Sequence, residues 1–436
     1  MKKRRIIGIL LAAVMVGSLA TGCRQKSNST ASADDNQKVT LRFMWWGSDG
    51  RHKATLAAIS AYEKLHPNVT INGEYSGYSG YQQKLTTQLT SGTAPDIMQI
   101  DVMWIGSYAA EGNLFADLSK QKAIDTSHFS KTFLKSYCQI NGKLQGLPAG
   151  EGCNALLYNT ELFQSLGLST STRFTWDTFL STGASVHQKD SSKYFLLPGT
   201  ENARVLLRSY IEQKTGKPYV DDKGNITVDK ATLTDAFTYF HKLLDNGVYA
   251  PFKTAAAFDS NPESNPEWVN GNIVADYGVL STYSSNAGSV KFTMGITDGP
   301  TSKDAKGEAG VTPSQILSVN AKSKSVSAAA KFLNWFLNDN SAAEILTDQR
   351  GVPPTDTARA LLIKENKLNV TENKVLENAQ AKPPVVESSY SNNSEVIQLT
   401  DNIIQKMAYN GESADAAATE FLNSLKTKVA EIKSAS

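Results

Sequence analysis

The stretch Leu41–His52, "LRFMWWGSDGRH", places two adjacent tryptophans, Trp45 and Trp46, directly before a polar turn that carries Ser48 and Asp49. Gly77 and Tyr78 in one later turn, and Asp101 and Trp104 in another, repeat this pairing of rings with short polar groups. The combination suits carbohydrate: a pyranose face stacks on an aromatic ring, while its hydroxyls need planar donors and acceptors such as carboxylates, amides and guanidinium groups. The same rings also suit a core. On a strand, Leu41, Phe43 and Trp45 share one face and Arg42, Met44 and Trp46 the other, so one tryptophan could simply continue a buried face. Both tryptophans are candidate ligand contacts. Trp45 is the one expected to complete the buried face, whereas Trp46, Asp49 and Arg51 are expected on a loop facing ligand.

The elements that must position these residues follow from periodicity. "VTLRFMW" has strand chemistry, and Leu56, Ile59, Tyr62 and Leu65 then recur every three residues as a helix face, with Ser48 or Asp49 as N-cap. "NVTINGEY" reads as a second strand, "YQQKLTTQLTSG" as a helix closed by Gly92, and "DIMQI" as a third strand. Such alternation predicts an α/β lobe with a parallel sheet and crossover helices. Ligands collect outside the carboxyl ends of such strands, where Trp45, Trp46, Ser48 and Asp49 after the first strand, Gly77 and Tyr78 after the second, and Asp101 and Trp104 after the third would converge.

Other chemistry finds little support. The sequence has no Gly-x-Ser-x-Gly elbow, no His-Glu-x-x-His and no phosphate loop, and its five histidines stand far apart. Asp221, Asp222, Asn225 and Asp229 fail the spacing of a calcium loop, and a hairpin turn on Gly224–Asn225 is the better reading. No metal or cofactor is expected. Trp335, in "AAAKFLNWFLN", falls on an apolar helix face and reads as core. A glycosidase needs two carboxylates at a defined separation, which spacing along a chain does not reveal.

The chain opens with Lys2, Lys3, Arg4 and Arg5, an apolar run from Ile6 to Ala20, and then "TGC" ending at Cys23, the grammar of a secretory signal over residues 1–22. "LATGC" resembles the lipobox of bacterial lipoproteins, with Ala20 in place of the commoner leucine. That resemblance implies an acylated Cys23 and a protein tethered to the outer face of the cell membrane. Residues 23–37 carry no apolar side chain larger than alanine beyond the cysteine and read as a flexible leash. Removing residues 1–22 takes four of 44 basic residues and none of 42 acidic ones, leaving a net charge of −2 and no electrostatic case for nucleic acid. Cys138 and Cys153 then remain as an even pair, either bridged or buried as thiols. The roughly 400 mature residues predict two lobes.

Three segments resemble the carbohydrate-binding, maltose-binding-protein-like extracellular solute-binding proteins of bacterial ABC importers. They are "SGTAPDIMQID" with "YAAEGNLFADLS"; "NGKLQGLPAGEGCNALLYNTELF", in which Gly150 and Ser165 depart from the usual types; and the later runs "TWDTFLSTG", "EWVNGNIVADYG" and "SVSAAAKFLNWFLND". The likeness extends from about Val39 to the C-terminus, and the order of the motifs gives it its strength. It implies a two-lobed α/β fold of the type II periplasmic-binding-protein kind, with ligand held between lobes that close about a hinge. Crossings are expected near 148–154, 311–318 and 382–389, with lobe 1 formed by 38–148 and 319–381 and lobe 2 by 152–312 and 387–436.

The same resemblance nominates Glu151, Asn154 and Gln315 on the crossing strands as contacts to sugar hydroxyls. Where relatives carry Gly-x-Trp, this chain has Gly278, Val279 and Leu280, so Asp276, Tyr277 and Tyr283 would supply what that tryptophan does. Tyr390 stands where relatives often present another aromatic, and Trp176 where they place a packing anchor. The implied partners are an oligosaccharide, the permease subunits of a transporter and, through the anchor, the membrane; a monomer without enzymatic activity is expected. The run "WWGSDGRHKATL" looks like a subgroup associated with oligosaccharides, either neutral or acidic. Arg51 and Lys84 are the nearest cations for a uronate, and both also read as solvated helix charges. A neutral oligosaccharide is the first expectation.

Overall fold

The computed structural model describes residues 38–435, apart from 79, 170, 260 and 261. The signal segment, Cys23 and the leash lie outside the described residues. Thirteen strands run in chain order: β1 (Val39–Trp46), β2 (Val69–Ser76), β3 (Ile97–Ile100), β4 (Gln139–Ile140), β5 (Lys143–Leu144), β6 (Leu147–Gly152), β7 (Asn154–Asn159), β8 (Tyr194–Leu196), β9 (Ile273–Val279), β10 (Met294–Thr297), β11 (Glu308–Ala309), β12 (Thr312–Val319) and β13 (Pro384–Val385). They build one five-stranded sheet, ordered β2-β1-β3-β12-β6, and one four-stranded sheet, ordered β10-β7-β9-β8.

In the first sheet β1 pairs in parallel with both β2 and β3, as the β/α alternation predicts. The crossover helices are α1 (Asp49–Leu65) and α2 (Tyr81–Ser91), the latter ended by Gly92 at φ +73°. A third helix, α3 (Ile105–Ala110), follows β3. β12 inserts antiparallel between β3 and β6, because it enters this sheet from the opposite side of the molecule. Leu41, Phe43, Trp45, Ile59, Phe332, Leu333 and Phe336 belong to one core on this sheet. Trp335 packs at its edge, as its place on the helix Val326–Asn338 predicts.

The chain passes between the sheets at Cys153, since β6 lies in the first and β7, one residue later, in the second. It passes back between β11 and β12, and β13 runs alongside β11 in a two-stranded ribbon. Two lobes joined by adjacent crossing segments result. One face of the second sheet is covered by long helices, including Thr200–Thr215 and Ser394–Asn410, through Leu206, Leu207, Ile403 and Ile404. Its other face packs on Leu362, Leu368, Val375 and Leu376. These four lie within 319–381, the range expected with lobe 1. Their helices, Asp356–Lys364 and Val370–Gln380, share a core instead with Trp268, Ile273 and Ile296 of the second sheet.

The expected turns form at two places. Asn141 and Gly142, both at positive φ, close the β4–β5 hairpin. Asp221 accepts from the Asn225 amide and side chain while Val220 pairs with Ile226, so this acidic run is a hairpin turn. Cys138 and Cys153 are free, buried thiols in different cores, and the bridge alternative fails. Burial raises both thiols well above the usual cysteine range.

Candidate carbohydrate site

The parallel strands of the first sheet end side by side, and the aromatic candidates divide there. Trp45 is fully buried, stacks on Tyr75 of the neighbouring strand at 5.2 Å, and donates its Nε1 hydrogen to His52 Nδ1 at 3.1 Å. Its ring lies over Gly73, where a Cβ would come within 2.7 Å of the indole. Trp45 is therefore core and leaves the candidate contacts. Trp46 is the last residue of β1 rather than part of a loop. It is held by Tyr78, Tyr81 and Trp104 at ring separations of 5.5, 4.9 and 5.5 Å and keeps only 6% of its surface exposed.

Tyr78 and Trp104 stack on each other at 5.5 Å, and Tyr78 remains 41% exposed. Its hydroxyl donates to Asp101 Oδ2 at 3.2 Å, while Asp101 Oδ1 accepts from the Met103 amide at 2.9 Å. Burial pushes the Asp101 carboxyl up to about 6 against the pull of those two hydrogen bonds, with Glu201 pushing it up further and Arg204 pulling it down. Glu201 and Arg204 belong to the helix Thr200–Thr215, so the charges of that second-lobe helix act on this aromatic edge. On that helix Arg204 Nε donates to Asp401 Oδ1 at 2.8 Å. Four residues on, Arg208 lies 3.3 Å from Glu387 and donates to Asn392 at 3.1 Å.

Several candidates are spoken for inside the protein. Glu151 is buried, and its Oε2 accepts from Arg359 Nη1 at 2.9 Å and Gln380 Nε2 at 3.2 Å. Asp276 is buried on β9 and accepts from Asn202 at 2.5 Å, and Tyr277 is buried with its hydroxyl on Ser209. The Tyr283 hydroxyl donates to the Met294 carbonyl and accepts from Asn369. Asn154 donates to Ser209 at 2.9 Å and lines a cavity of about 30 Å³ with Glu308 and Lys382, large enough for water and too small for a sugar ring. Gln315 donates to the Arg350 carbonyl at 3.2 Å. Tyr390 lies against the hairpin turn at Gly224. These side chains brace the crossings and the second lobe; the reach of each is taken by a neighbour that sequence spacing does not reveal. Trp176 likewise donates to Gln213 and follows a capping box on Thr175 and Thr178, as a packing anchor does.

Asp49 is exposed in the first turn of α1, beyond the Trp46 strand end. Arg51, read from sequence either as a uronate contact or as a solvated charge, is 94% buried: its exposure is 6%. Its Nε donates to the Gln349 carbonyl at 3.0 Å. Lys84 is exposed on α2 and takes no part. Residues missed in the sequence complete the picture. Gln99, fully buried, donates to the Trp46 carbonyl at 3.1 Å and accepts from Arg350 Nη1 at 2.6 Å, which fixes the end of β1. Only the i, i+4 spacing of Arg204 and Arg208 in "ENARVLLRSY" hinted that one helix carries both arginines.

An exposed ring with a carboxylate beside it can stack on a sugar face and accept from its hydroxyls. The model of the family "Bacterial extracellular solute-binding protein" matches residues 57–377. The chain belongs to this family. It is 25% identical over 373 residues to the diacetylchitobiose binding protein of Streptomyces coelicolor, covering 84% of this chain and 85% of that one. Among solved structures, it resembles a periplasmic solute binding protein from Pectobacterium atrosepticum with a TM-score of 0.82 and 28% identity, over 90% of this chain and 99% of the other. An oligogalacturonide binding protein from Yersinia enterocolitica, in complex with saturated digalacturonic acid, is similar at a TM-score of 0.82 and 27% identity, over 89% and 99% of the two chains. As a member of the extracellular solute-binding family, this protein works outside the cytoplasm, and its sugar-binding relatives are binders rather than enzymes.

Proposed function

We propose that this solute-binding protein, held at the outer face of the membrane through acylated Cys23, captures an oligosaccharide between its lobes and delivers it to an ABC transporter. The observation that carries this reading is the Trp46–Tyr78–Trp104 group with Asp101, whose carboxyl feels the charges of Glu201 and Arg204 on Thr200–Thr215. A ligand that bridges both lobes has differential affinity for the closed form and shifts the population toward it. The hinge is read at the crossings near 148–154 and 311–318; the segment near 382–389 has the second lobe on both sides of it.

A second reading, an acidic oligosaccharide carrying uronates, is favoured by Arg51. Its guanidinium has no carboxylate partner among the described residues, and the Yersinia relative is described with a digalacturonic acid. A thermal-shift screen of neutral and uronic-acid oligosaccharides tests both. A ligand at a hundred times its dissociation constant adds about 2.7 kcal/mol to stability. A shift with neutral sugars alone removes the acidic reading. No shift with any sugar, together with measurable hydrolysis or elimination, overturns the binder itself in favour of an exported polysaccharide-degrading enzyme.

A further inference from the structure

Buried charges in proteins are normally paired, because an isolated ion loses its hydration without compensation. Arg51 and Arg350 break that rule together. Arg350 is 2% exposed; its Nη1 and Nη2 donate to Gln99 Oε1 at 2.6 Å and Thr55 Oγ1 at 2.8 Å, both neutral, and its Nε is sealed without a partner. Arg51 donates from Nε alone, to the neutral Gln349 carbonyl. Its Nη1 and Nη2 have no hydrogen bond among the described residues, and neither is fully sealed from solvent as Arg350 Nε is. Among the described residues neither arginine is in an ion pair, although the Arg350 guanidinium lies over the Phe336 and Phe43 rings at 5.4 and 6.0 Å; burial takes Arg51 down to about 10 and, with Arg51 beside it, Arg350 well down.

The backbone adds to the same point. Arg51 lies in the first turn of the seventeen-residue α1, whose N-cap Ser48 makes no side-chain capping bond. The amides of Asp49, Gly50 and Arg51 have no partner among the described residues, and they add the positive end of the helix dipole. The Arg51 stem turns back over Gly47, where a Cβ would come within 2.5 Å of its Cδ. That contact holds the stem over the start of α1, while Nε turns to the Gln349 carbonyl. The Asp49 carboxylate is exposed and forms no pair with Arg51. Helix α1 also touches the second-lobe helix Tyr283–Ala287.

We propose that Arg51 and the amino end of α1, backed by Arg350, form a subsite for the carboxylate of a uronic acid residue in the bound oligosaccharide. This deepens the acidic-sugar reading and rests on it. A bidentate carboxylate would satisfy Nη1 and Nη2 of Arg51 and supply the negative charge that both arginines lack.

The test is calorimetric titration with digalacturonate and with its uncharged dimethyl ester, on the wild type and Arg51→Gln. The wild type is expected to bind the diacid about 30-fold more tightly than the diester, the range of one or two charge-assisted hydrogen bonds. Arg51→Gln is expected to bring the two ligands to parity by weakening the diacid alone. Its ligand-free melting temperature should stay at or above the wild-type value, because a buried unpaired charge has gone; a merely structural arginine would lower it. A wild-type preference for the diacid that Arg51→Gln retains overturns the subsite and leaves the acidic-sugar reading standing. A wild type that shows no preference, or binds only neutral sugars, overturns that reading and the subsite with it. Should Arg51→Gln fail to fold, Gly47→Ala carries the same test by displacing the arginine stem: parity supports the subsite, and an intact preference overturns it.

Discussion

The phenol of Tyr78 donates to Asp101 Oδ2 across 3.2 Å and so ties the loop after β2 to the loop after β3 at the sheet edge. Tyr78 is the exposed ring of the aromatic group, at 41%, so its removal should weaken sugar binding at little structural cost. Tyr78→Ala is expected to lower oligosaccharide affinity about tenfold, the worth of one stacking contact with its hydrogen bond. Unfolding of the ligand-free protein should change by less than about 1 kcal/mol. Titration calorimetry and denaturant unfolding on the same preparation check both values.

The two tryptophans of β1 should part company in the same assays. Trp45 is wholly enclosed, and Trp45→Ala is expected to cost about 3–5 kcal/mol of stability. Trp46 is also packed, so Trp46→Ala should both destabilise the free protein and abolish binding. A Trp46 variant with an unchanged melting temperature would contradict the packing described.

Asp101 makes the protein pH-sensitive in a stated direction. Its folded-state value of about 6 lies above the unfolded value near 3.9, so the folded state holds the proton more tightly. The ionised carboxylate therefore destabilises the fold above pH 6, and that penalty disappears as pH falls toward 4. Glu212 and Glu372, raised well above the carboxylate range chiefly by burial, act with the same sign. The ligand-free melting temperature should rise from pH 7.5 to pH 5.5. Affinity for a sugar whose hydroxyl donates to Asp101 should fall over the same range, which titrations at the two pH values will read.

Glu151 and Arg359 predict a structural effect without a binding one. The Glu151 side chain is 3% exposed and bonded to Arg359 at 2.9 Å, joining a crossing strand to the helix Asp356–Lys364. Glu151→Ala should cost about 3 kcal/mol by leaving Arg359 unpaired, as chemical denaturation will show. A large loss of sugar affinity with stability unchanged would restore Glu151 to the ligand site.

The thiols give a simple check. Cys138 and Cys153 should both be alkylated in denaturant without prior reduction, and neither in the native protein, as peptide mass mapping can establish. A linked peptide pair would contradict the separate cores.

Much of the first lobe was legible because its signals are local. The strand before Trp46, the Gly92 cap, the Asn141–Gly142 hairpin and the apolar face around Trp335 each depend on residues within one or two turns of chain. Site residues on the crossings were less legible. Glu151, Asp276 and Tyr283 have the polar types that a sugar needs, but Arg359, Asn202 and Asn369, far away in sequence, engage them first. The helices Asp356–Lys364 and Val370–Gln380 show the same limit, since an apolar stripe does not say which sheet it will cover.

By itself, the sequence determined the α/β character, the edge on which Trp46, Tyr78, Asp101 and Trp104 gather, and the family, because hydrophobic period and turn chemistry act over short distances. Only the tertiary structure decided which of those polar groups remain available. It buried Arg51 and Arg350 with no carboxylate partner among the described residues, sealed Trp45, and brought the charges of Glu201 and Arg204 to bear on Asp101. Partnership and desolvation are properties of neighbours in space, and the chain order of residues such as Arg51 and Gln349 holds no record of them.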